Sequence, residues 1–411
     1  MEKDNLSKEI LNEKIDYLLE LGKALHEYGM SAQRIEAAMY ETAKNLGVDN
    51  ASFFSTPTYL NMAVTGDFGQ IHRSQRVNPS DVELDKLCKV DYLTDQVAKK
   101  EMKLKDASKK LAEIRSQPPR YGNLLTVLSY GVSSSSIAIV LQGSLYDSLL
   151  AFFLGIITGF MTLISSKYYS AAQIYEAIVS FTLTVFSLVI ADRFILHLNS
   201  QIIIMSGLIV LLPGLGMTVA MMELATQNLV SGTARFMGSM ITLLKITFGV
   251  ALGVKACALF KIEPIAIEVS KTSLPLFYMA IIFAALAFTI KFRISIKDYF
   301  WVLLSALVSV GSAKFGREVF GPEIGAFVGG TAVSALSNLF ARVFNRPASL
   351  LLLPGIIILV PGSVGYKTFT LFFNHNVLGA MSTGFTTIMI AISLVAGVFF
   401  GNILINPRRM V

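Results

Sequence analysis

The sequence predicts an α-helical polytopic membrane protein with about ten transmembrane helices in a 5+5 inverted repeat, preceded by a small N-terminal cytoplasmic α+β domain. Three observations predict it. A charged head precedes a long apolar body, the body divides into ten stretches long enough to cross a bilayer, and a Pro-Gly motif recurs at a fixed offset.

Of 411 residues, 53% are hydrophobic and only 15% charged, with a net charge of +7. A soluble domain is nearer about 25% charged. Residues 1–121 hold 18 basic and 19 acidic side chains, whereas residues 122–411 hold 17 and 9. This balance excludes a secreted soluble enzyme and a nucleic-acid binder with a basic face. Two distant cysteines, Cys88 and Cys257, imply no disulfide framework. The first 20 residues carry nine charges and no apolar core, so no signal peptide is expected and the head should stay in the cytoplasm.

In the head (1–121), Leu11, Ile15, Leu18, Leu21 and Leu25 recur at helical spacing and predict a helix over roughly 6–28, closed by Gly29. Ser31 opens a second helix that Gly47 ends. Ala51–Thr65 reads as one strand, Thr65 to Gly69 as a turn and Ile71–Val77 as the returning strand of a hairpin. Asn78-Pro79-Ser80-Asp81 reads as a cap, followed by two helices to about Arg115, with the charge run Lys99–Lys110 on a solvated helix face. Pro118-Pro119 marks the linker into the membrane. No nucleophile motif, phosphate loop or metal-ligand spacing occurs, so the head reads as a regulatory or gating module and neither cofactor nor metal is expected.

The body's ten spans are predicted at 122–142, 147–166, 171–191, 201–227, 233–257, 274–291, 297–315, 322–344, 347–373 and 378–404, in two halves of five (122–258 and 274–405). Ser133–Ser136 dilutes the first. With the head inside, nine basic residues flank the cytoplasmic loops and six the opposite ones, which favours cytoplasmic N- and C-termini in a plasma-membrane protein. Leu211-Leu212-Pro213-Gly214 matches Leu359-Val360-Pro361-Gly362 at an offset of 148. The same offset pairs Asn228 with Asn376, Gly249 with Gly397 and Gly253 with Gly401. Five spans per half make such a repeat inverted.

Proline removes a backbone donor and glycine weakens a helix, so each Pro-Gly pair is expected to interrupt its span. The fourth span carries one break and the ninth two, at Pro354-Gly355 and Pro361-Gly362. Freed backbone groups must face protein or a water-filled cavity. Matched breaks in two halves point to a transport site, and a packed proline kink is the plainer alternative. Glu223, Lys245 and Lys367 lie inside apolar runs, where a charge costs at least ~2.5–3.5 kcal/mol at the bilayer centre. Glu223 is a candidate for a coupling proton or a substrate ammonium, or for a structural pair with Arg235. Lys367 is a candidate carboxylate partner or snorkels outward, and Lys245 is equally open. Glu176 is expected at an interface. Thr218, Asn228, Asn338 and Asn376 offer hydrogen bonds between helices. Four Gly-x-x-x-Gly patterns, at 155–159, 249–253, 325–329 and 397–401, are assigned to close packing within one bundle, with a homo-oligomer face as the alternative.

The segment Tyr28-Gly29-Met30-Ser31-Ala32-Gln33-Arg34-Ile35-Glu36 resembles the helix-opening segment of the threonine/serine exporter family of secondary transporters. Asp106-Ala107-Ser108 through Pro118-Pro119-Arg120-Tyr121 resembles that family's approach to the membrane. Leu212-Pro213-Gly214 with Thr218 and Glu223, and Val360-Pro361-Gly362 with Tyr366, resemble its two halves in fused form. The resemblance implies proton-driven export of small hydroxy amino acids from the cytoplasm. Relatives with separate halves are linked to dicarboxylate export, in which Lys367, Lys245 or Arg235 would carry more of the binding. A channel or a membrane-anchored sensor are the remaining readings. The expected partners are a small-molecule substrate, protons and the lipid bilayer, with no nucleic acid. Half-helix N-termini at Gly214 and Gly362 would face a substrate carboxylate between the broken spans.

Overall fold

Helix α1 (Glu2–Glu27) buries Ile15, Leu18, Leu21 and Leu25 along one face, as its apolar spacing requires. The computed structural model describes residues 2–48, 50–66, 69–78, 82–193, 198–262, 272–360, 362–373 and 376–408. Gly29, at φ +83°, turns the chain into α2 (Ala32–Asn45). The stretch expected as one strand is cut at Pro57-Thr58 into β1 (Ala51–Thr56) and β2 (Tyr59–Gly66), because proline has no N–H to give a ladder. With β3 (Gly69–Arg76) they form a three-stranded antiparallel meander rather than a hairpin. Leu60, Met62 and Val64 alternate inward from β2 onto α1 and α2. Helices α3 (Leu84–Ala98) and α4 (Leu104–Ser116) complete the head, and the charge run at 99–110 straddles their junction instead of riding on one helix. The turn residues Asp67 and Phe68 and the cap residues 79–81 lie outside the described residues.

The body follows as α5 (Asn123–Val140), α6 (Leu145–Ser165), α7 (Tyr169–Arg193), α8 (Ser200–Gly207), α9 (Gly214–Ala225) and α10 (Leu229–Ala258). The second half holds α11 (Leu274–Lys291), α12 (Tyr299–Phe320), α13 (Pro322–Phe344), α14 (Ser349–Ile357), α15 (Gly362–Phe373) and α16 (Val377–Leu404). Nine helical stretches among the described residues are long and apolar enough to cross a membrane, and α9 is a shorter apolar helix. The serines that dilute the first span, Ser129, Ser133, Ser134 and Ser136, are buried on α5. They leave room for α6, whose Gly155 would clash with the Tyr130 carbonyl if it carried a Cβ. The other Gly-x-x-x-Gly faces also pack within the bundle, with Gly249 and Gly253 on α7 and Gly397 and Gly401 on α13.

The ends of the elements recur at the offset of 148. Shifted by that amount, α9 falls on α15 residue for residue and α10 starts where α16 starts, each with an asparagine at its N-cap. The fourth predicted span breaks between α8 and α9, and the ninth breaks once, between α14 and α15. Pro354-Gly355 does not break it, because Pro354 lies within α14. There Ser305 and Ser309 of α12 donate to the carbonyls of Leu351 and Gly355, both at 2.7 Å, and tie α14 to α12 on either side of the proline.

The head docks on one end of the bundle. Leu84 N–H donates to the Phe292 carbonyl at 3.0 Å, and Tyr121 Oη to that of Ile294 at 2.6 Å. Ion pairs join Glu83 to Arg293 and Asp91 and Asp95 to Arg408.

Candidate functional site

Glu223, on the last turn of α9, is 1% exposed and is held from three sides. Its carboxylate accepts from Ser231 Oγ at 2.8 Å, from Arg235 Nε at about 3.1 Å and from the Ala32 N–H of the head at 2.9 Å. Ser31 occupies the N-cap of α2 but makes no side-chain cap, so Glu223 supplies the anion that the helix N-terminus attracts. The chain turns between α9 and α10 at Thr226–Asn228, which brings Ser231 and Arg235 back to Glu223.

The two breaks meet. A Cβ built on Gly214 would lie 3.6 Å from the Cα of Gly362 and 2.2 Å from Val360 Cγ1, so only glycine allows this approach. Pro213 caps α9, while Pro361 lies outside the described residues. Neither Gly214 nor Gly362 lines a cavity described here.

The remaining predicted residues separate. Lys245 pairs with Glu176 at 3.4 Å and donates to the Gln173 carbonyl at 2.8 Å, tying α10 to α7. Lys367 is exposed. Tyr366 is buried among first-half side chains including Leu154, Leu183 and Val250. Asn228 and Asn376 act at helix starts and not between helices: Asn376 Oδ1 accepts from Gly379 N–H at 2.9 Å, and Asn228 Nδ2 donates to Thr226. Asn338 does bridge helices, donating to Asn402 Oδ1 and the Ile405 carbonyl, each at 2.8 Å. Thr218 is 1% exposed and its hydroxyl has no partner among the described residues.

Between head and bundle lies a vestibule of about 1100 Å³, lined by Arg34, Glu36, Glu223, Asn338, Asn402 and Arg408 among others. It adjoins a chamber of about 40 Å³, and Ser31, Arg34, Met222 and Leu352 line both. Thr218 faces the chamber one turn past Gly214, and Leu215 also lines it. A separate apolar cavity of about 270 Å³ lies among α9, α10, α15 and α16. Its walls pair at the offset of 148, Met217 with Gly365, Met221 with Phe369 and Met240 with Ile388, so it sits where the two halves face each other.

Sequence reading missed Arg34, Tyr28 and Ser349 as lining residues. The quoted motif from Tyr28 to Glu36 contains the first two, but only the docking of the head shows that they meet the bundle. Among the described residues no group of three or more His, Cys, Asp or Glu side chains is placed to hold a metal.

The family model described as "Putative threonine/serine exporter" matches residues 16–257, and that described as "Threonine/Serine exporter, ThrE" matches residues 277–404. An uncharacterised protein of Schizosaccharomyces pombe is 24% identical over 95% of this chain and 55% of its own length. Pheromone-regulated membrane protein 10 of Debaryomyces hansenii is 24% identical over 86% of the chain and 36% of its own length. The threonine/serine exporter of Corynebacterium glutamicum is 26% identical over 79% of the chain and 68% of its own length. The chain thus spans about half the length of the first relative and about a third of the second. No solved structure matches.

Proposed function

Because the chain belongs to the threonine/serine exporter family, we propose that it is a secondary transporter carrying small hydroxy amino acids out of the cytoplasm, driven by the proton gradient. The observation that carries this reading is the family match across both halves of the body. The vestibule at the docked end supports it, since cargo from the cytoplasm would enter there if the head and both termini lie on that side.

Movement would follow alternating access between two inverted halves, and the recurrence of element ends at an offset of 148 supports that arrangement. The touching glycines of α9 and α15 would be its pivot, closing the path beyond the chamber. The coupling proton would act at Glu223. Protonation removes the negative charge that holds Arg235 and the N-terminus of α2, and so loosens the head from the first half. Dicarboxylate export is less well supported, because Lys245 and Arg235 are already engaged by Glu176 and Glu223.

The test is efflux of labelled threonine from proteoliposomes, with and without an imposed proton gradient, run beside succinate. Gradient-responsive threonine efflux that loses its response in Glu223→Gln is expected. Succinate moving while threonine does not would overturn the substrate, and movement of neither by folded protein would overturn the transport reading.

A further inference from the structure

The chamber beside the vestibule carries hydrogen-bonding groups with no partner among the described residues. Tyr28 Oη, Thr218 Oγ1 and Ser349 Oγ belong to residues only 3%, 1% and 4% exposed, and none has a partner among the described residues. All three residues line the chamber. Buried polar groups are nearly always paired in folded proteins, and leaving several unpaired around one space costs stability unless something else takes their bonds. At the mouth stands Arg34, partly buried, whose charge is felt by Asp91, a carboxylate already bonded by Arg408. The rest of the wall is largely apolar, with Leu215, Leu353 and Ile356.

We propose that this chamber is the cargo subsite, in which Arg34 of the head holds the substrate carboxylate at the mouth while the hydroxyls of Tyr28, Thr218 and Ser349 receive a hydroxyl-bearing side chain. The proposal rests on the reading of the chain as an amino-acid carrier and gives that reading a place. A planar guanidinium matches a carboxylate in two-pronged fashion. A volume of about 40 Å³ has room for roughly two or three water-sized atoms, which suits a hydroxymethyl or hydroxyethyl group and excludes longer side chains. Hydroxyls both donate and accept, so a cargo hydroxyl satisfies them where a methyl does not. Glu36, whose Oε1 accepts from the Ser55 N–H at 2.8 Å, also lines the vestibule, and its other oxygen would meet the cargo ammonium. The subsite is assembled from three parts of the chain: the head gives Tyr28 and Arg34, the first half Thr218 and the second half Ser349. On this view the head belongs to the binding site and is not only a gate.

The experiment measures labelled threonine flux by the full chain in proteoliposomes, with unlabelled threonine, serine and valine as competitors. Valine has the shape of threonine without its hydroxyl. The wild type should prefer threonine over valine at least tenfold, because valine leaves the buried hydroxyls unpaired. In Thr218→Val/Ser349→Ala that ratio should fall toward unity. Both competitors meet the same preparation, so any loss of folded protein cancels in the ratio. Ligand-induced shifts in melting temperature give the same ratio for a variant that binds cargo without moving it. Arg34→Lys should raise the threonine KM tenfold or more while keeping the threonine-to-valine ratio. A wild type that carries threonine, with a ratio unmoved in the double variant or a KM unmoved in Arg34→Lys, overturns the subsite alone. A wild type that carries neither threonine nor serine overturns the reading of the chain as an amino-acid carrier, and the subsite falls with it.

Discussion

His26 shows how one buried side chain sets a condition on the head. Its Nε2 lies 3.0 Å from the Thr56 carbonyl and donates to it, while Nδ1 is buried without a partner. Burial lowers its pKa below the usual 6.5, the nearby Arg235 lowers it further, and the bond to Thr56 with Glu27 and Glu223 opposes both. The neutral ring is therefore favoured in the folded head, and the unfolded chain binds the proton more readily. Stability is fully present above about pH 6.5 and is lost as pH falls through the range between that value and the lower folded one, at no more than about 1.4 kcal/mol per pH unit. Melting temperature against pH should show this fall, and His26→Gln, which keeps a donor for Thr56, should flatten it. An unchanged slope in the variant would assign the fall to other groups. Glu223 teaches a second lesson at this scale. A carboxylate in an apolar run signals a partner, and Arg235 was recognisable because both flank one turn. The Ala32 N–H was not, since 191 residues separate donor and acceptor.

At the scale of elements, the meeting of α9 and α15 is the most demanding contact. Gly214→Ala places a methyl 2.2 Å from Val360 Cγ1, and overpacking of this kind costs about 1–3 kcal/mol. Val360→Ala removes the clashing atom, so the double variant should recover most of the stability and flux lost in Gly214→Ala, as thermal melts and efflux rates would report. Failure of that rescue would mean that the backbone approach, rather than this side chain, sets the limit. The break itself was legible because Pro-Gly interrupts a helix by simple chemistry. The false second break at Pro354 was not distinguishable from it in sequence, because the bonds that hold α14 on both sides of the proline come from Ser305 and Ser309 on another helix. At β1 and β2 the run of strand-forming residues continues through Pro57, and only the missing N–H marks the turn. Helix ends, caps and apolar faces are local and could be read. Cavities are made by distant elements, so Arg34, Thr218 and Ser349 could not be seen to converge.

At the scale of the whole molecule, the head is fastened by ion pairs as well as by an apolar core that it shares with α11, α12 and α14. Arg408 bonds Asp91 at 2.8 Å and also Asp95, whose side chains are 3% and 8% exposed. Asn345 Nδ2 adds a bond to Asp95 at 3.0 Å. Arg408→Ala would leave two buried carboxylates without their cation, and breaking such a group costs about 3–5 kcal/mol. Hydrogen exchange in α3 should accelerate in that variant while α13 and α16 exchange as before. Equal acceleration throughout would indicate that head and bundle unfold together. Element ends recur along the body at an offset of 148, whereas the head fastens to one end only. A carrier made of like halves would hold its inward-open and outward-open forms at nearly equal free energy, with no resting preference of its own. Fastening a domain to one end lifts that degeneracy. In such a carrier the energy of the clamp would fix which form rests empty, and would set how much work each turnover does to leave it.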